Sequence, residues 1–468
     1  MPTPRRALGL AGRRPRSLDS VALHGDCLFL NVFSPKTVPH KLPVVAFIHG
    51  GNFKQGYSGG LLYDCSFMAS QHNVVCVTLN YRLGVLGSLY TGTGEGQLAG
   101  NFGFQDQQLA LQWIKENIAA FGGDPENVNI FGQSAGAASV ALHNVAPSSK
   151  SLFSKSYMLS EPLALPLRTP GTWGPIAAAF TKFANCTGGD SATELACLMG
   201  KSAEDIVTAQ VDALHDVLDE WPRLLELFMP WTPTVQTPLI PHRPIDGFHN
   251  GQLADMTKPA IATTVANEAL LFIYEAFGKP MSSLEYEVVV DVVFLGNGGK
   301  VKKQFPLPDN MKTDARPWVS HIGTLALFVC PTRYAMAGMT APAYVGHFDH
   351  VMSFGKEVWG PEFQECDPYV CHGGDLPFIF HPNASALNLA YTPGEQNLSM
   401  SMQSYWTSMA SGGVPLPPVS GVDAGIPWHP FNMTTQSYLR LDTPANSEQT
   451  FTFKEECDFF DSIGYNYY

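Results

Sequence analysis

Residues 128–136 read Val-Asn-Ile-Phe-Gly-Gln-Ser-Ala-Gly, which places a serine between two glycines directly after a short apolar run. Residues 128–131 predict a buried strand, and the small residues that follow predict a helix from Ala135 to about Asn144. Gly-x-Ser-x-Gly alone is a weak signal, because a glycine-rich turn with a surface serine has the same letters. Between a strand and a helix, however, the glycines permit the tight, strained turn that exposes a nucleophile. The stretch therefore predicts that Ser134 is presented at the carboxyl end of a strand.

The segments on both sides of this stretch predict a mostly parallel sheet with helices on both faces. Residues 43–48 and 74–79 are apolar without polar alternation, as expected for strands that are buried on both faces. Apolar residues recur near helical spacing over 105–121, and Gly122-Gly-Asp-Pro125 ends that pattern. Further strands are predicted at 156–159, 260–265 and 343–348. Strands that alternate with helices in this way are typical of an α/β fold.

The domain organisation follows from the lack of a dividing linker. Residues from about 171 to 231 have a helical pattern, with proline-rich loops to residue 244, and predict an insertion over the sheet. We therefore expect one elaborated α/β domain over 26–468. Residues 1–25 are atypical, and we expect them to be disordered or misassigned. Two apolar runs, 288–295 and 325–330, have the lengths of strands.

Composition and charge exclude several classes of function. Of the 468 residues, 45% are apolar and 15% are charged, which allows a large core and argues against disorder. The net charge of −13 would repel a phosphate backbone, so nucleic acid is not an expected partner. No apolar run reaches the ~18–20 residues that a membrane span needs, and we expect no such span.

A serine hydroxyl becomes a good nucleophile when a base takes its proton and a carboxylate orients that base. With this type of turn the chain order is serine, carboxylate, histidine. Glu268 follows the predicted strand 260–265, and His372 lies in a loop that we expect a Cys366–Cys371 disulfide to pin. Spacing alone does not single out either residue. His347 and His350 suit structural roles better, His49 suits loop orientation, and Asp291 suits a charge at a strand edge.

The negative charge that develops on oxygen during acyl transfer needs preorganised N–H donors. One donor is the backbone N–H after the nucleophile, which here belongs to Ala135. Others come from a glycine-rich loop after an early strand, and His49-Gly-Gly-Asn-Phe53 is placed for that role. The alternative interpretation is an ordinary glycine turn after a strand.

The cysteines indicate an oxidising compartment. Cys186 and Cys197 are eleven residues apart and Cys366 and Cys371 are five apart, so each pair predicts a short disulfide loop. Neither spacing is that of a zinc knuckle, and we predict no metal. Four Asn-x-Ser/Thr glycosylation sequons are consistent with secretion, at Asn185, Asn383, Asn397 and Asn432. The first twenty residues, however, contain no apolar stretch long enough for the core of a signal peptide.

The ordered motifs of this chain resemble those of the type-B carboxylesterases, the family that includes the cholinesterases. The resemblance covers nearly the whole chain from residue 26 onward. The matching motifs are Asp26-Cys-Leu-Phe-Leu-Asn-Val32, His49-Gly-Gly-Asn-Phe53, Asn80-Tyr-Arg-Leu-Gly84, Gly100-Asn-Phe-Gly-Phe-Gln-Asp106, Phe121-Gly-Gly-Asp-Pro125, Gly132-Gln-Ser-Ala-Gly136, Asn267-Glu-Ala-Leu-Leu-Phe272, His372-Gly-Gly-Asp-Leu-Pro-Phe378 and Tyr405-Trp406.

The resemblance implies an α/β-hydrolase fold with a large, mostly parallel sheet and helical insertions. It implies Ser134 as the nucleophile, Glu268 as the acid and His372 as the base. The oxyanion donors that it implies are the amides of Gly51, Asn52 and Ala135. Ser160 matches a serine that hydrogen-bonds near the acid, with a strand-end cap as the alternative. The implied disulfides join Cys186 to Cys197 and Cys330 to Cys457, whereas the Cys366–Cys371 pair rests on spacing.

The chain also departs from the family pattern. Gln133 stands where the family usually has glutamate, which removes a negative charge beside the site and should weaken the attraction of cationic substrates. Asn52 stands where glycine is common, so one oxyanion donor belongs to a residue with a side chain.

The start of the chain is the third departure. Residues 1–25 do not resemble the early strands of the family, which supply the disulfide partner of the cysteine that matches Cys27. We expect an incomplete or misassigned start of the coding sequence, with a true deletion as the alternative. If the chain is made as given, Cys27 is left without its usual partner, and we expect Cys65 and Cys76 to be buried free thiols or substitutes for that partner.

Together these features predict a serine hydrolase that cleaves small-molecule carboxylic esters through an acyl-enzyme. Water is the second substrate, and neither a metal nor an organic cofactor is needed. The alternatives are a non-catalytic adhesion or binding protein on the same fold, and a lipase or amidase with the same machinery. We expect the protein to enter the secretory pathway. The sequence leaves the oligomeric state and the physiological ester open.

Overall fold

A nine-stranded sheet forms the centre of the computed structural model, which describes residues 26–37, 41–218, 225, 229–382 and 387–466. The segment 1–25 and the sequon at Asn383 lie outside the described residues. The strands are β1 (Leu30–Phe33), β2 (Leu42–Ile48), β3 (Val75–Leu79), β4 (Gly123–Gln133), β5 (Lys155–Leu159), β6 (Ala260–Val265), β7 (Ala343–Phe348), β8 (Ser437–Leu441) and β9 (Ser447–Thr450).

The strands follow the order β1-β3-β2-β4-β5-β6-β7-β8-β9. The seven strands from β3 to β8 run parallel, and β1 and β9 close the two edges as antiparallel neighbours. The predicted α/β fold with a mostly parallel sheet is therefore confirmed. In such a sheet the carboxyl ends of all parallel strands meet at one edge, where open α/β sheets place their sites.

Helices connect the strands and cover both faces of the sheet. In chain order they are α1 (Ser66–His72), α2 (Gly84–Ser88), α3 (Phe102–Asn117), α4 (Ala135–Val145), α5 (Gly174–Phe183), α6 (Ser191–Met199), α7 (Ala203–Leu218), α8 (Pro244–His249), α9 (Leu270–Ala276), α10 (Ser283–Val293), α11 (Gly298–Gln304), α12 (Arg316–Thr324), α13 (Cys330–Ala337), α14 (Gly355–Trp359), α15 (Leu376–Phe380), α16 (Pro393–Gly412) and α17 (Lys454–Ile463). Within the described chain, none of them is long and apolar enough to cross a bilayer.

Apolar layers bury the sheet on both sides. Because neighbouring residues of a strand point to opposite faces, β2 contributes to both layers. Val44 and Ala46 join the cluster that contains α3 and α4, whereas Val45 and Phe47 join the cluster that contains α16. This two-sided burial explains why the segment around β2 shows no polar alternation.

The predicted insertion contains α5, α6 and α7. Trp173, Phe180 and Trp231 are buried together in an apolar cluster that also includes Val85 of α2. The side chain of Gln210 on α7 accepts a hydrogen bond from the backbone N–H of Val85 at 2.8 Å. These contacts anchor the insertion to the segment that follows β3.

The two apolar runs with strand lengths are helical in the structure. Most of 288–295 belongs to the end of α10, and Leu325–Val329 forms a π-helix between α12 and α13. Runs as short as these fit a buried helix as well as a strand, so their periodicity is not decisive. The expectation that Asp291 lies at a strand edge is therefore wrong. It lies on α10 and pairs with Lys302 at 2.8 Å.

Four disulfides cross-link the fold. Three join the pairs expected from the sequence, namely Cys186–Cys197, Cys330–Cys457 and Cys366–Cys371. The fourth joins Cys65, just before α1, to Cys76 of β3. The expectation for Cys65 and Cys76 is corrected by this bond, because they are neither free thiols nor partners of Cys27. Cys27 is the free cysteine, and burial raises the pKa of its thiol.

The disulfide between Cys330 and Cys457 closes a long loop, because the two half-cystines are 127 positions apart in the sequence. Replacing both with alanine should lower the free energy of unfolding by about 2–5 kcal/mol, because the unfolded chain gains conformational freedom. Denaturant titration measures this difference through the midpoint and slope. Cys27→Ala is the matched control and should leave the midpoint unchanged. An unchanged midpoint for the double variant would contradict the stabilising role of this bond.

Candidate active site

Ser134 lies at the turn between β4 and α4, at the carboxyl edge of the sheet. Its backbone has φ 59° and ψ −125°, a conformation that side-chain-bearing residues seldom adopt. The turn also passes very close to β2, because a Cβ on Gly136 would lie 1.9 Å from the backbone oxygen of Ile48. Only glycine fits at position 136. The predicted strand-turn-helix geometry around Ser134 is present.

Glu268 and His372 are brought together from segments that are distant in the chain. His372 Nδ1 lies 2.6 Å from Glu268 Oε2, and Glu268 is fully buried. The other carboxylate oxygen, Oε1, accepts a hydrogen bond from the backbone N–H of Val265 at 2.8 Å. The end of β6 thus fixes the carboxylate, and the carboxylate fixes the imidazole.

Two hydrogen bonds join the loop that carries the acid to the loop that carries the base. The N–H of Asn267 donates to the backbone oxygen of Val370 at 3.0 Å. The N–H of Val370 donates to Asn267 Oδ1 at 3.1 Å. The Cys366–Cys371 disulfide closes the second loop directly before His372. The position of the imidazole therefore depends on covalent and hydrogen-bonded supports outside the pair itself.

The environment of His372 combines aromatic rings with a second buried acid. The rings of Phe272 and Phe328 lie with centroids 5.0 and 5.4 Å from the imidazole centroid. Asp375 is 1% exposed, and its Oδ1 has no hydrogen-bond partner among the described residues. Burial, and then the charge of Glu268, raises the pKa of Asp375 to about 7. Sequence reasoning missed this residue, although it lies in the same His-Gly-Gly-Asp motif as the base.

The loop after β2 supplies the candidate oxyanion donors. Gly51, Asn52 and Phe53 all have positive φ, at 108°, 56° and 54°, which turns the loop back toward the sheet. Among the described residues, the amides of Gly51, Asn52 and Ala135 donate to no protein acceptor. Ala135 is also the first residue of α4, where the helix dipole favours negative charge. Three amides are therefore available near Ser134 for an anionic oxygen.

The expected hydrogen-bonded row from serine to histidine to carboxylate is incomplete in the structure. No hydrogen bond joins Ser134 Oγ to His372. Instead, the side-chain amide nitrogen of Gln133 lies 3.0 Å from His372 Nε2. The sequence shows only that glutamine at position 133 lacks the negative charge of the usual glutamate. The structure shows that the Gln133 side chain also contacts the imidazole of His372.

The remaining candidates have other partners. His49 is buried, burial lowers its pKa to about 4, and its ring stacks on Tyr81 in the segment that follows β3. His347 bonds to Thr264 and His350 to Glu395, so both have structural contacts. The expected hydrogen bond of Ser160 near Glu268 is not present, because its buried hydroxyl has no partner among the described residues. Its φ of 52° instead marks a turn at the end of β5.

Three of the predicted glycosylation sequons lie within the described residues. Asn185, Asn397 and Asn432 are exposed, and Asn397 lies on α16 rather than in a loop. Within the described ranges, no group of three His, Cys, Asp or Glu side chains is arranged to hold a metal ion.

Known proteins share this architecture and sequence. A sequence model of the Carboxylesterase family matches residues 12–460, which includes part of the atypical segment 1–25. The Crystal protein of Dictyostelium discoideum is 34% identical over 97% of this chain and 80% of its own length. The bile salt-activated lipase of Mus musculus is 32% identical over 90% of this chain and 72% of its own. The solved structure of a PNB esterase superposes with a TM-score of 0.75 at 29% identity, and covers 93% of this chain and 85% of its own.

The sheet topology and the turn at Ser134 define an α/β-hydrolase fold, as the resemblance implied. The chain belongs to the Carboxylesterase family, and it is a carboxylic ester hydrolase.

The raised pKa of Asp375 makes a prediction about stability and pH. In the folded protein Asp375 keeps its proton up to about pH 7, whereas in the unfolded chain aspartate releases it near pH 3.9. The contribution of Asp375 to the free energy of unfolding therefore falls as pH rises from about 4 to about 7. Asp375→Asn should remove this cost, and its stability relative to the parent should grow over that range by up to about 4 kcal/mol. Thermal unfolding of both proteins between pH 4 and 8 measures the difference. A difference that is independent of pH would contradict the raised pKa.

Proposed function

We propose that this protein hydrolyses carboxylic esters through a covalent acyl-enzyme in which Ser134 is the nucleophile. The bond between Glu268 and His372, at the same edge of the sheet as Ser134, carries the proposal. The free amides of Gly51, Asn52 and Ala135 support it, because acyl transfer needs donors where negative charge develops.

Each group has one role in the reaction. His372 Nε2 takes the proton of Ser134 Oγ while that oxygen attacks the ester carbonyl, and the loop amides bind the resulting oxyanion. His372 then gives the proton to the departing alcohol, which leaves the acyl group on Ser134. Water, deprotonated by His372, attacks the acyl-enzyme and releases the acid. Glu268 orients the imidazole and stabilises its charged form throughout.

The surroundings of the site favour an uncharged ester. Phe272 and Phe328 present aromatic surface beside the base, and Gln133 is neutral. Two relatives are named as a bile salt-activated lipase and a para-nitrobenzyl esterase, so lipid and synthetic esters are reasonable first substrates. The intact set of Ser134, Glu268 and His372 favours hydrolysis over a purely non-catalytic binding role.

We also propose that the protein folds in the secretory pathway. Four disulfides occur in the described chain, and such bonds persist in oxidising compartments. Exposed sequons at Asn185, Asn397 and Asn432 are compatible with glycosylation there. Removal of N-glycans from the secreted protein, followed by mass spectrometry, tests both points.

Ser134→Ala should lower turnover of a chromogenic short-chain ester by several orders of magnitude, because the acyl acceptor is lost. The measurement is kcat, together with labelling by an organophosphate and identification of the modified peptide. Ser70→Ala, an exposed serine on α1, is the matched control and should leave both readouts unchanged. Equal turnover in Ser134→Ala and the parent, or a label on another residue, would reject the mechanism.

A matched pair of esters tests the preference for uncharged substrates. Acetylcholine and 3,3-dimethylbutyl acetate have nearly the same shape, but acetylcholine carries a positive charge and 3,3-dimethylbutyl acetate is neutral. We expect the neutral ester to have a kcat/KM at least equal to that of the cation, because residue 133, next to Ser134, is a neutral glutamine and supplies no charge to offset desolvation of the ammonium.

The protein's net charge of −13 could also attract the cation from a distance. The comparison is therefore made at low and high salt, since screening removes this long-range effect. A clear preference for the cationic ester that survives high salt would contradict the proposed substrate class.

A further inference from the structure

The contact between Gln133 and His372 has a definite direction. A carboxylate accepts hydrogen bonds and donates none, so the 2.6 Å bond to Glu268 places a proton on His372 Nδ1. In the neutral imidazole, Nε2 then carries the lone pair. The amide nitrogen of Gln133, 3.0 Å away, therefore donates an N–H to Nε2.

This direction matters because Nε2 is the atom that must take the proton of Ser134. This nitrogen has one lone pair, which accepts the hydrogen bond from the Gln133 amide. The amide does not release its proton near neutral pH. Ser134 Oγ, in turn, has no hydrogen bond to His372 among those of the described residues. Both ring nitrogens of His372 thus have hydrogen-bond partners, but the partner of Nε2 is an amide and not the hydroxyl of Ser134.

The side chain of Gln133 lies between the loop that contains Gly50 and the loop that contains Gly373. It is 5% exposed. A Cβ built on Gly50 would lie 3.1 Å from Gln133 Oε1, and one built on Gly373 would lie 3.6 Å from Gln133 Nε2. The amide thus fills the space between the oxyanion loop and the loop that carries the base.

We propose that Gln133 is a positioning residue that holds His372 away from Ser134 until the site is used. Activation of the nucleophile then begins with an exchange of partners at His372 Nε2, from the amide of Gln133 to the hydroxyl of Ser134. After the exchange, the serine proton moves to Nε2 as Oγ bonds to the ester carbonyl. This inference rests on the proposed function, since it concerns the same serine and histidine.

The proposal is tested by the rate at which a small neutral reagent, phenylmethanesulfonyl fluoride, modifies Ser134. Gln133→Met keeps the length of the side chain and removes the donor. We expect its second-order rate constant at pH 8 to rise about 3- to 10-fold, because no hydrogen bond has to be exchanged first. Gln71→Met, an exposed glutamine on α1, is the matched control and should keep the parent's rate.

A second variant uses the pH profile as its readout. Gln133→Glu has the same shape but only accepts, so it favours a protonated Nε2. The other acids that face His372, Glu268 and Asp375, are unchanged in this variant. We expect the acid limb of the rate profile to move by about one pH unit or more to higher pH, and the rate at pH 7 to fall.

The outcomes separate the two proposals. A Gln133→Met protein with an unchanged unfolding midpoint that reacts no faster than the parent overturns the role of Gln133. Should the methionine variant fail to fold, an unmoved acid limb in Gln133→Glu overturns it instead. If the reagent does not modify Ser134 in the parent at all, the proposed function itself fails.

Discussion

The parallel register between β2 and β4 is the constraint on which the rest of the site depends. Ile48 pairs with Gly132, so the oxyanion loop and the turn of Ser134 leave the sheet side by side. The backbone of Gly136 then packs directly on the last residue of β2, with no space for a side chain. A register slip of one residue would turn every side chain of β2 toward the wrong apolar layer. The burial of β2 on both faces therefore also fixes the position of Ser134 relative to the loop after β2.

The fold was predictable where a local signal was strong. β6 and β7 have the predicted bounds, because each follows a proline and contains several β-branched or aromatic residues. β4 begins at Gly123, five residues before the predicted strand, since its polar first half gives no apolar signal. The end of α10 and the π-helix after α12 were misread for the opposite reason. They are mostly apolar and too short for periodicity to distinguish a helix from a strand.

The site was predictable as a set of residues but not as a network. Glu268 and His372 follow from motifs, yet their contact depends on the pairing of Asn267 with Val370, which are 103 positions apart. No pattern in the sequence predicts the pairing of Asn267 with Val370. For the same reason, Gln133 could be interpreted from its charge but not from its hydrogen bond. Charge is a property of the residue alone, whereas a hydrogen-bond partner is set by the tertiary structure.

The Cys366–Cys371 disulfide restrains the site locally, whereas the Cys330–Cys457 disulfide stabilises the whole fold. A short disulfide loop restricts the unfolded chain less than a long one, so the Cys366–Cys371 bond adds less global stability than the Cys330–Cys457 bond. Its value is local, because it limits the motion of the loop that ends at His372. The segment directly after His372 needs such a restraint, since it contains Asp375, whose buried Oδ1 lacks a partner among the described residues. Strain and unpaired polar atoms persist where the surrounding structure fixes them firmly. The disulfide, the paired loops and the sheet edge supply that restraint around His372, and they limit the imidazole to small movements.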